Sequence, residues 1–411
     1  MHLTGRVLIA VLAALLLACH TMGDTIYLKD GSVLEGTITR EEASFLFIEV
    51  TVGGITDEQL VMRDDIERIE RDTPAVEAPR EPERAPSVSE TSPSEEARKP
   101  EHQVSENATR LSFVSLEGTV GPYMNAQALA ESIRRIEDQE PDIIVLEVDS
   151  GGGFGLEIQP IANLIERRLK PKYRVIVWVD SAISAAAMST LACEEIYFQS
   201  KGNFGAATGY RGAGDAIEGE ELELMLRQME EISAWGNHDP LIMRAMQIGM
   251  DLSCDIDEDG RVTWREDLNG EYIVSTEDRI LTLNALDAVR YKFARGIADT
   301  KEELAATLGA DEWVEVGHEA DEYQRDFREN VGRGEVESAK VLVLFDEALK
   351  RGQVGQAQRY LGQLRSWARR APSLVQYGSE QGTPPMNRQF FRQLEESLAK
   401  VRKQVAQNRR R

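Results

Sequence analysis

Long apolar runs are almost missing from this chain. Only Val7–Ala18 is continuous enough to suggest one, and it is too short to span a bilayer comfortably as a mature anchor. Cysteine is scarce too: Cys19, Cys193 and Cys254 are the three in 411 residues, and they show no metal-type spacing. Cys193 and Cys254 could pair if the fold brings them together. Positive charge is the third shortage. Forty-seven Lys and Arg face 71 Asp and Glu, a net −24, which argues against nucleic acid as a main partner and for a self-repelling surface. The shortage is uneven. Residues 350–411 hold 14 Lys/Arg against three Asp/Glu, so a basic tail follows an acidic body. That tail could meet anionic lipid, an acidic partner or the protein's own body.

What is present divides the chain into five stretches. Arg6, the apolar run and the small residues after it read as an export signal over residues 1–23. Leu16-Leu17-Ala18-Cys19 resembles a bacterial lipoprotein box, which would leave Cys19 acylated; ordinary cleavage near Gly23 is the alternative. Either reading places the protein in the periplasm or cell envelope. Residues 24–71 suggest a small barrel-like β module, with Ile26 and Leu28 alternating, a turn at Lys29-Asp30-Gly31-Ser32 and a returning strand. Residues 72–110 carry six of the 14 prolines among Ser, Glu and Arg, a linker composition that buries too little to order itself. Residues 318–411 read as a helical region ending in the basic tail.

Between them, residues 111–317 alternate strand and helix patterns. Segments 142–148 and 174–180 are nearly continuous apolar runs, as expected of parallel strands buried on both faces. Met124, Ala128, Leu129, Ile133 and Ile136 share one helical face behind Asn125, a fair N-cap. The pattern predicts a layered α/β domain. Two corners in it could carry chemistry. Gly151–Gly153 follow the first apolar strand, and Ser184 follows the second at the start of a small-residue helix. Glycine lets backbone approach a substrate closely, and the first N–H groups of a helix favour developing negative charge. A tight turn and an ordinary helix cap would use the same residues.

The segments VDSGGG (148–153), SAISAAAMSTLACEEIYFQSKGNFGAA (181–207) and ILTLNALDAVRYKFARGIADTKEELAATLG (280–309) resemble, in order, three segments of NfeD-type membrane serine proteases and signal peptide peptidase A. The resemblance covers about residues 111–317. It implies the Clp protease/crotonase fold, a spiral of ββα units that usually assembles as a homo-oligomer. It also implies Ser184 as nucleophile, and N–H groups of Gly152 or Gly153 and of Ala185 as the oxyanion hole. Those families draw their general base from a lysine some 40–50 residues after the serine, but no lysine lies between Lys201 and Lys292. The matching helix offers Arg227, which stays protonated and cannot serve. His238, followed by Asp239, is the sole histidine between Ser184 and His318 and could accept the serine proton.

A further stretch, residues 255–266, spaces Asp255, Asp257, Asp259, Gly260 and Glu266 like a calcium-binding loop of the EF-hand type. An acidic β-turn around Asp259-Gly260 is the other reading. The resulting expectation is an exported serine-peptidase-like protein acting on a peptide or protein substrate, with no cofactor required apart from calcium at that loop. Its rival is a catalytically degenerate scaffold of the same fold. A crotonase-type acyl-CoA enzyme fits the fold but not export.

Overall fold

The computed structural model describes residues 24–29, 33–41, 45–52, 55–63, 66–71, 108–211, 215–379 and 383–408. The segment read as an export signal, with Cys19, nearly all of the segment read as a linker and the last three arginines lie outside the described residues. The chain divides into two compact units, residues 1–97 and 98–411. In the first, strands β1 (Asp24–Leu28), β2 (Val33–Glu41), β3 (Phe45–Val52), β4 (Ile55–Met62) and β5 (Ile66–Glu70) form an antiparallel sheet in the order β4-β3-β2-β1-β5. Ile26 and Ile48 are its fully buried centre, with Ile38, Ile66 and Ile69 packed against them. Among the described residues β4 and β5 are the two ends of this strand order.

The second unit is built on four parallel strands: β6 (Thr109–Glu117), β7 (Ile143–Ser150), β8 (Arg174–Ile183) and β9 (Glu195–Gly205). The helices α1 (Ala126–Glu137), α2 (Ile158–Leu164) and α3 (Ala185–Thr190) connect them, and α2 runs on through a π-turn at Ile165–Leu169. Asn125 caps α1, its side chain accepting from the Ala128 N–H at 2.9 Å. Successive side chains of a strand point to opposite faces, so these apolar runs feed two cores. Val114, Leu146, Val148, Val177 and Val179 meet the connecting helices on one face. Leu111, Phe113, Val145, Ile176 and Trp178 meet α7 (Lys301–Thr307) on the other.

Two short hydrogen-bonded pieces follow: β10 (Tyr210–Arg211) with β11 (Asp215–Ala216), then helices α4 (Gly219–Trp235) and α5 (Pro240–Ala245). A separate three-stranded sheet contains β12 (Leu252–Ile256), β13 (Val262–Arg265) and β14 (Tyr272–Ser275). The main sheet is completed by β15 (Thr282–Asn284), helix α6 (Ala285–Arg290), β16 (Gly296–Ile297) and β17 (Trp313–Glu315), giving the order β15-β9-β8-β7-β6-β17 with β16 also on β9. The fold is of the α/β class, with a small β module before it and helices after it. Among the described residues, no helix is long and apolar enough to cross a membrane.

The C-terminal helices are α8 (His318–Lys350), α9 (Val354–Arg370), α10 (Ser373–Gln376) and α11 (Arg388–Asn408). They belong to the same compact unit as the α/β domain. α8 docks on β6 and α1 through polar contacts: Arg328 donates to the Ser115 carbonyl at 3.1 Å, and Gln324 to Ser132 Oγ at 2.9 Å. Glycine in mid-helix usually weakens it, but Gly334 lets α10 approach: a Cβ there would lie 3.0 Å from Leu374.

Candidate active site

The two corners singled out in the sequence meet. β7 and β8 run parallel, and after a bulge Ser150 stands opposite Ala182, so both strands end side by side. Ser184 follows directly and precedes α3. Its backbone has φ 55° and ψ −123°, a conformation that side-chain-bearing residues rarely adopt. The Ser184 N–H donates to the Gly205 carbonyl at 2.8 Å, and the Met188 N–H donates to the Ser184 carbonyl at 3.0 Å. Ala185, Ala186, Ala187 and Met188 are all buried, which presses the helix start into place. Strain of this kind, of order 1–3 kcal/mol, persists only where the surroundings over-determine it, and it clusters at functional sites.

Across from it, the glycine corner is fixed by a ladder of its own. Gly152 has φ +94°, and a Cβ there would lie 2.5 Å from Ser184 Cβ and 3.1 Å from Ser184 Oγ. Nothing larger than glycine fits. The Gly152 N–H donates to Ser150 Oγ at 3.1 Å, which itself donates to the Gly118 carbonyl at 2.7 Å. The Gly152 carbonyl accepts from the Val120 N–H at 2.7 Å, and the Phe154 N–H returns to the Val120 carbonyl at 2.9 Å. With the Gly152 amide turned to Ser150, the exposed Gly153 is the donor this corner offers. Ala185 offers the other, since the first N–H groups of a helix lack intrahelical acceptors. Ser150 and the Gly205 carbonyl were not evident from sequence. Ser150 lies inside the glycine motif, and its one signal was that position.

Among the described residues Ser184 Oγ makes no side-chain hydrogen bond, so none of them is joined to it as a general base would be. α4 turns Leu226, Met229 and Ile232 inward and leaves Arg227 exposed. His238 does not supply the base. Its Nε2 lies 2.8 Å from the Cys193 carbonyl, just past the far end of α3, and its ring packs on Phe293 with centroids 5.1 Å apart. At about 1.5 Å per residue, the helix alone separates the two sites by about 9 Å. Burial also holds the His238 imidazole down to about pKa 4. The sequence signal, a histidine beside an aspartate, has a local cause: Asp239 is the N-cap of α5, accepting from the Leu241 N–H at 2.9 Å.

The calcium loop is also corrected. Residues 255–266 form the β12–β13 hairpin, with no exiting helix. Asp255 accepts from Arg265 Nε at 2.7 Å and from the Glu271 N–H at 2.8 Å. Asp257 Oδ1 accepts from the N–H groups of Asp259 and Arg261 at 3.1 and 2.8 Å, closing the turn. Asp259 and Glu266 join no shared site: among the described residues no three His, Cys, Asp or Glu side chains gather to hold a metal ion. Millimolar calcium is therefore expected to leave the melting temperature of the protein unchanged; a rise of several degrees would restore the calcium reading. Cys193 and Cys254 are buried and unpaired, their thiols pushed up by burial to about 12 and about 11.

Residues 111–316 match the profile of the NfeD1b N-terminal domain, half of the chain, and the chain belongs to that family. The membrane protein NfeD1b of Bacillus subtilis (strain 168) is 28% identical over 185 residues, 45% of this chain. The chain spans 38% of that relative's length. Among solved structures, the chain is similar to a variant of the 1510-N membrane-bound stomatin-specific protease at 18% identity and TM-score 0.37, over 49% of this chain and 84% of that one. It is also similar to the 1510-N membrane protease specific for a stomatin homolog from Pyrococcus horikoshii at 16% identity and TM-score 0.34, over 48% and 78% of the two chains.

Proposed function

We propose that residues 111–317 form a serine-peptidase-type acyl-transfer site acting on exposed peptide segments of envelope or membrane-associated proteins. The observation that carries this reading is the apposition of Gly152 with a backbone-strained Ser184. In the reaction, Ser184 Oγ attacks the peptide carbonyl carbon. The developing oxyanion takes the N–H groups of Gly153 and Ala185, where one such donor is worth about 10²–10³ in rate. A proton from solvent reaches the leaving nitrogen as the intermediate collapses; the amine departs and leaves an acyl-serine ester, which water then hydrolyses. The proton of Ser184 passes to solvent, so the roughly 10²–10⁴-fold contribution of a positioned general base is forgone and turnover is slow. The substrate lies extended, in strand-like pairing. No metal or cofactor is needed for these steps. Export, a homo-oligomeric state and membrane-surface attachment through a lipid on Cys19 or through the basic tail complete the proposal. The name of the Bacillus relative, a membrane protein, supports that placement.

A serine-reactive fluorophosphonate probe tests it. The wild type is expected to be labelled slowly and stoichiometrically, and Ser184→Ala not at all. Equal labelling of both proteins, or of neither, removes the peptidase. One observation favours a second reading, a catalytically degenerate scaffold: among the described residues Ser184 Oγ makes no hydrogen bond, and the buried side chains of α4 are apolar apart from Ser233. That reading requires full complementation by Ser184→Ala in cells.

A further inference from the structure

The loop after the glycine corner is held from outside the α/β domain. Glu157, almost fully buried, carries both ends of the contact. One carboxylate oxygen accepts from the Ala126 N–H at 2.7 Å, at the first turn of α1. The other accepts from the phenol of Tyr377, the residue that ends α10 in the C-terminal helices. The Tyr377 ring also packs on Phe154, with centroids 4.8 Å apart, and a Cβ on Gly121 would meet it at 3.1 Å. Gln376 Nε2 donates to the same phenol at 2.7 Å. Phe154 is the residue next to Gly153, and its N–H forms one rung of the ladder through Val120 that holds the corner. α10 in turn is anchored to α8, where Leu374 packs with Val331. Burial and the Glu157 carboxylate push the Tyr377 phenol well above its usual range, so it stays a donor at all physiological pH.

We infer that Tyr377 is a positioning residue for the oxyanion corner, fixing the backbone at Gly153 through Phe154 and Glu157, so that the C-terminal helices are a working part of the Ser184 site. Its catalytic consequence rests on the peptidase reading above; the mechanical coupling does not. Fixing a donor matters because a displacement of about 1 Å at a reacting centre can cost about 10²-fold in rate.

The test uses the full chain and two variants. Tyr377→Phe keeps the ring and removes the bond to Glu157; Tyr377→Ala removes both contacts. Hydrogen exchange of the segment Gly152–Ile158 is expected to speed up in both, more in Tyr377→Ala, because local opening governs exchange. Exchange elsewhere in the main sheet should be unchanged. Fluorophosphonate labelling is expected to slow about threefold in Tyr377→Phe and about tenfold or more in Tyr377→Ala. The loss should fall on the maximal labelling rate, with half-saturation by the probe unmoved, which a general loss of stability would not produce. If Tyr377→Ala does not fold, Tyr377→Phe decides. Wild-type exchange at Gly152–Ile158 in Tyr377→Phe overturns the inference whatever the labelling shows. An unlabelled wild type removes the peptidase reading, while the exchange rates still decide the mechanical coupling.

Discussion

Gly152→Ala is expected to abolish Ser184 labelling and to destabilise the protein by about 2–6 kcal/mol, since a strained positive φ costs about 1–3 kcal/mol and overpacking about as much again. The new methyl group would sit 2.5 Å from Ser184 Cβ and 2.8 Å from the Ile183 carbonyl, and neither is the end of a flexible chain. Something must move, and the atoms the methyl group meets belong to the Ser184 turn and the strand end before it. Displacement of that turn carries Oγ away from Gly153 and Ala185, at a cost of about 10²-fold per ångström. Gly260→Ala serves as the control. Gly260 has a similar φ of +78° but nothing within 4 Å of an added Cβ. It should lose only about 1 kcal/mol and keep wild-type labelling. Unfolding in urea with parallel labelling checks both. If Gly152→Ala labels normally, the two corners are not in contact in solution and the site loses its basis.

The parts of this site that could be read from sequence are those whose chemistry is local. The strands before each corner are apolar runs because both of their faces are covered, so 142–148 and 174–180 stood out. Glycine clusters and a serine before alanines mark turns and helix starts by composition alone. What escaped depends on residues far apart in the chain. β17 joins the sheet by pairing Trp313–Glu315 with Thr109–Leu111, and three residues carry no periodicity to announce it. Tyr377 reaches Glu157 across 220 positions. The two misleading patterns failed for a common reason. Carboxylates at positions 255–266 and the His238-Asp239 pair have the spacing of functional motifs, yet Asp257 is engaged by turn amides, Asp255 by Arg265 and the Glu271 N–H, His238 by a carbonyl and Asp239 by a helix start.

His238, freed of a catalytic role, becomes a stability element with a defined pH signature. The surroundings of its imidazole disfavour the charged form: burial is the largest cause, with the cations of Arg295 and Lys170 nearby, while the hydrogen bond to the Cys193 carbonyl acts the other way. Lys170 is held there by the Trp235 carbonyl at 2.6 Å and the Ala192 carbonyl at 3.2 Å, so its charge cannot leave. The pKa falls from 6.5 to about 4 on folding. The unfolded chain therefore binds a proton that the native state refuses. The stabilisation is complete above pH 6.5, declines as pH falls, and is gone by about pH 4. The full shift corresponds to about 3 kcal/mol, and partial exposure of the ring reduces it to about 2 kcal/mol. Glu117 and Glu147, whose carboxyls are raised chiefly by burial, work in the opposite direction, since acid relieves the cost of their buried charge. Wild type alone would blend these effects. The difference between wild type and His238→Gln, which cannot titrate but keeps an amide donor for the Cys193 carbonyl, cancels them. That difference in urea-unfolding free energy is expected to shrink by about 2 kcal/mol between pH 7 and pH 4. A difference that stays constant across this range would mean the ring titrates as freely in the native state as in the unfolded one, and that the far end of α3 is open to water.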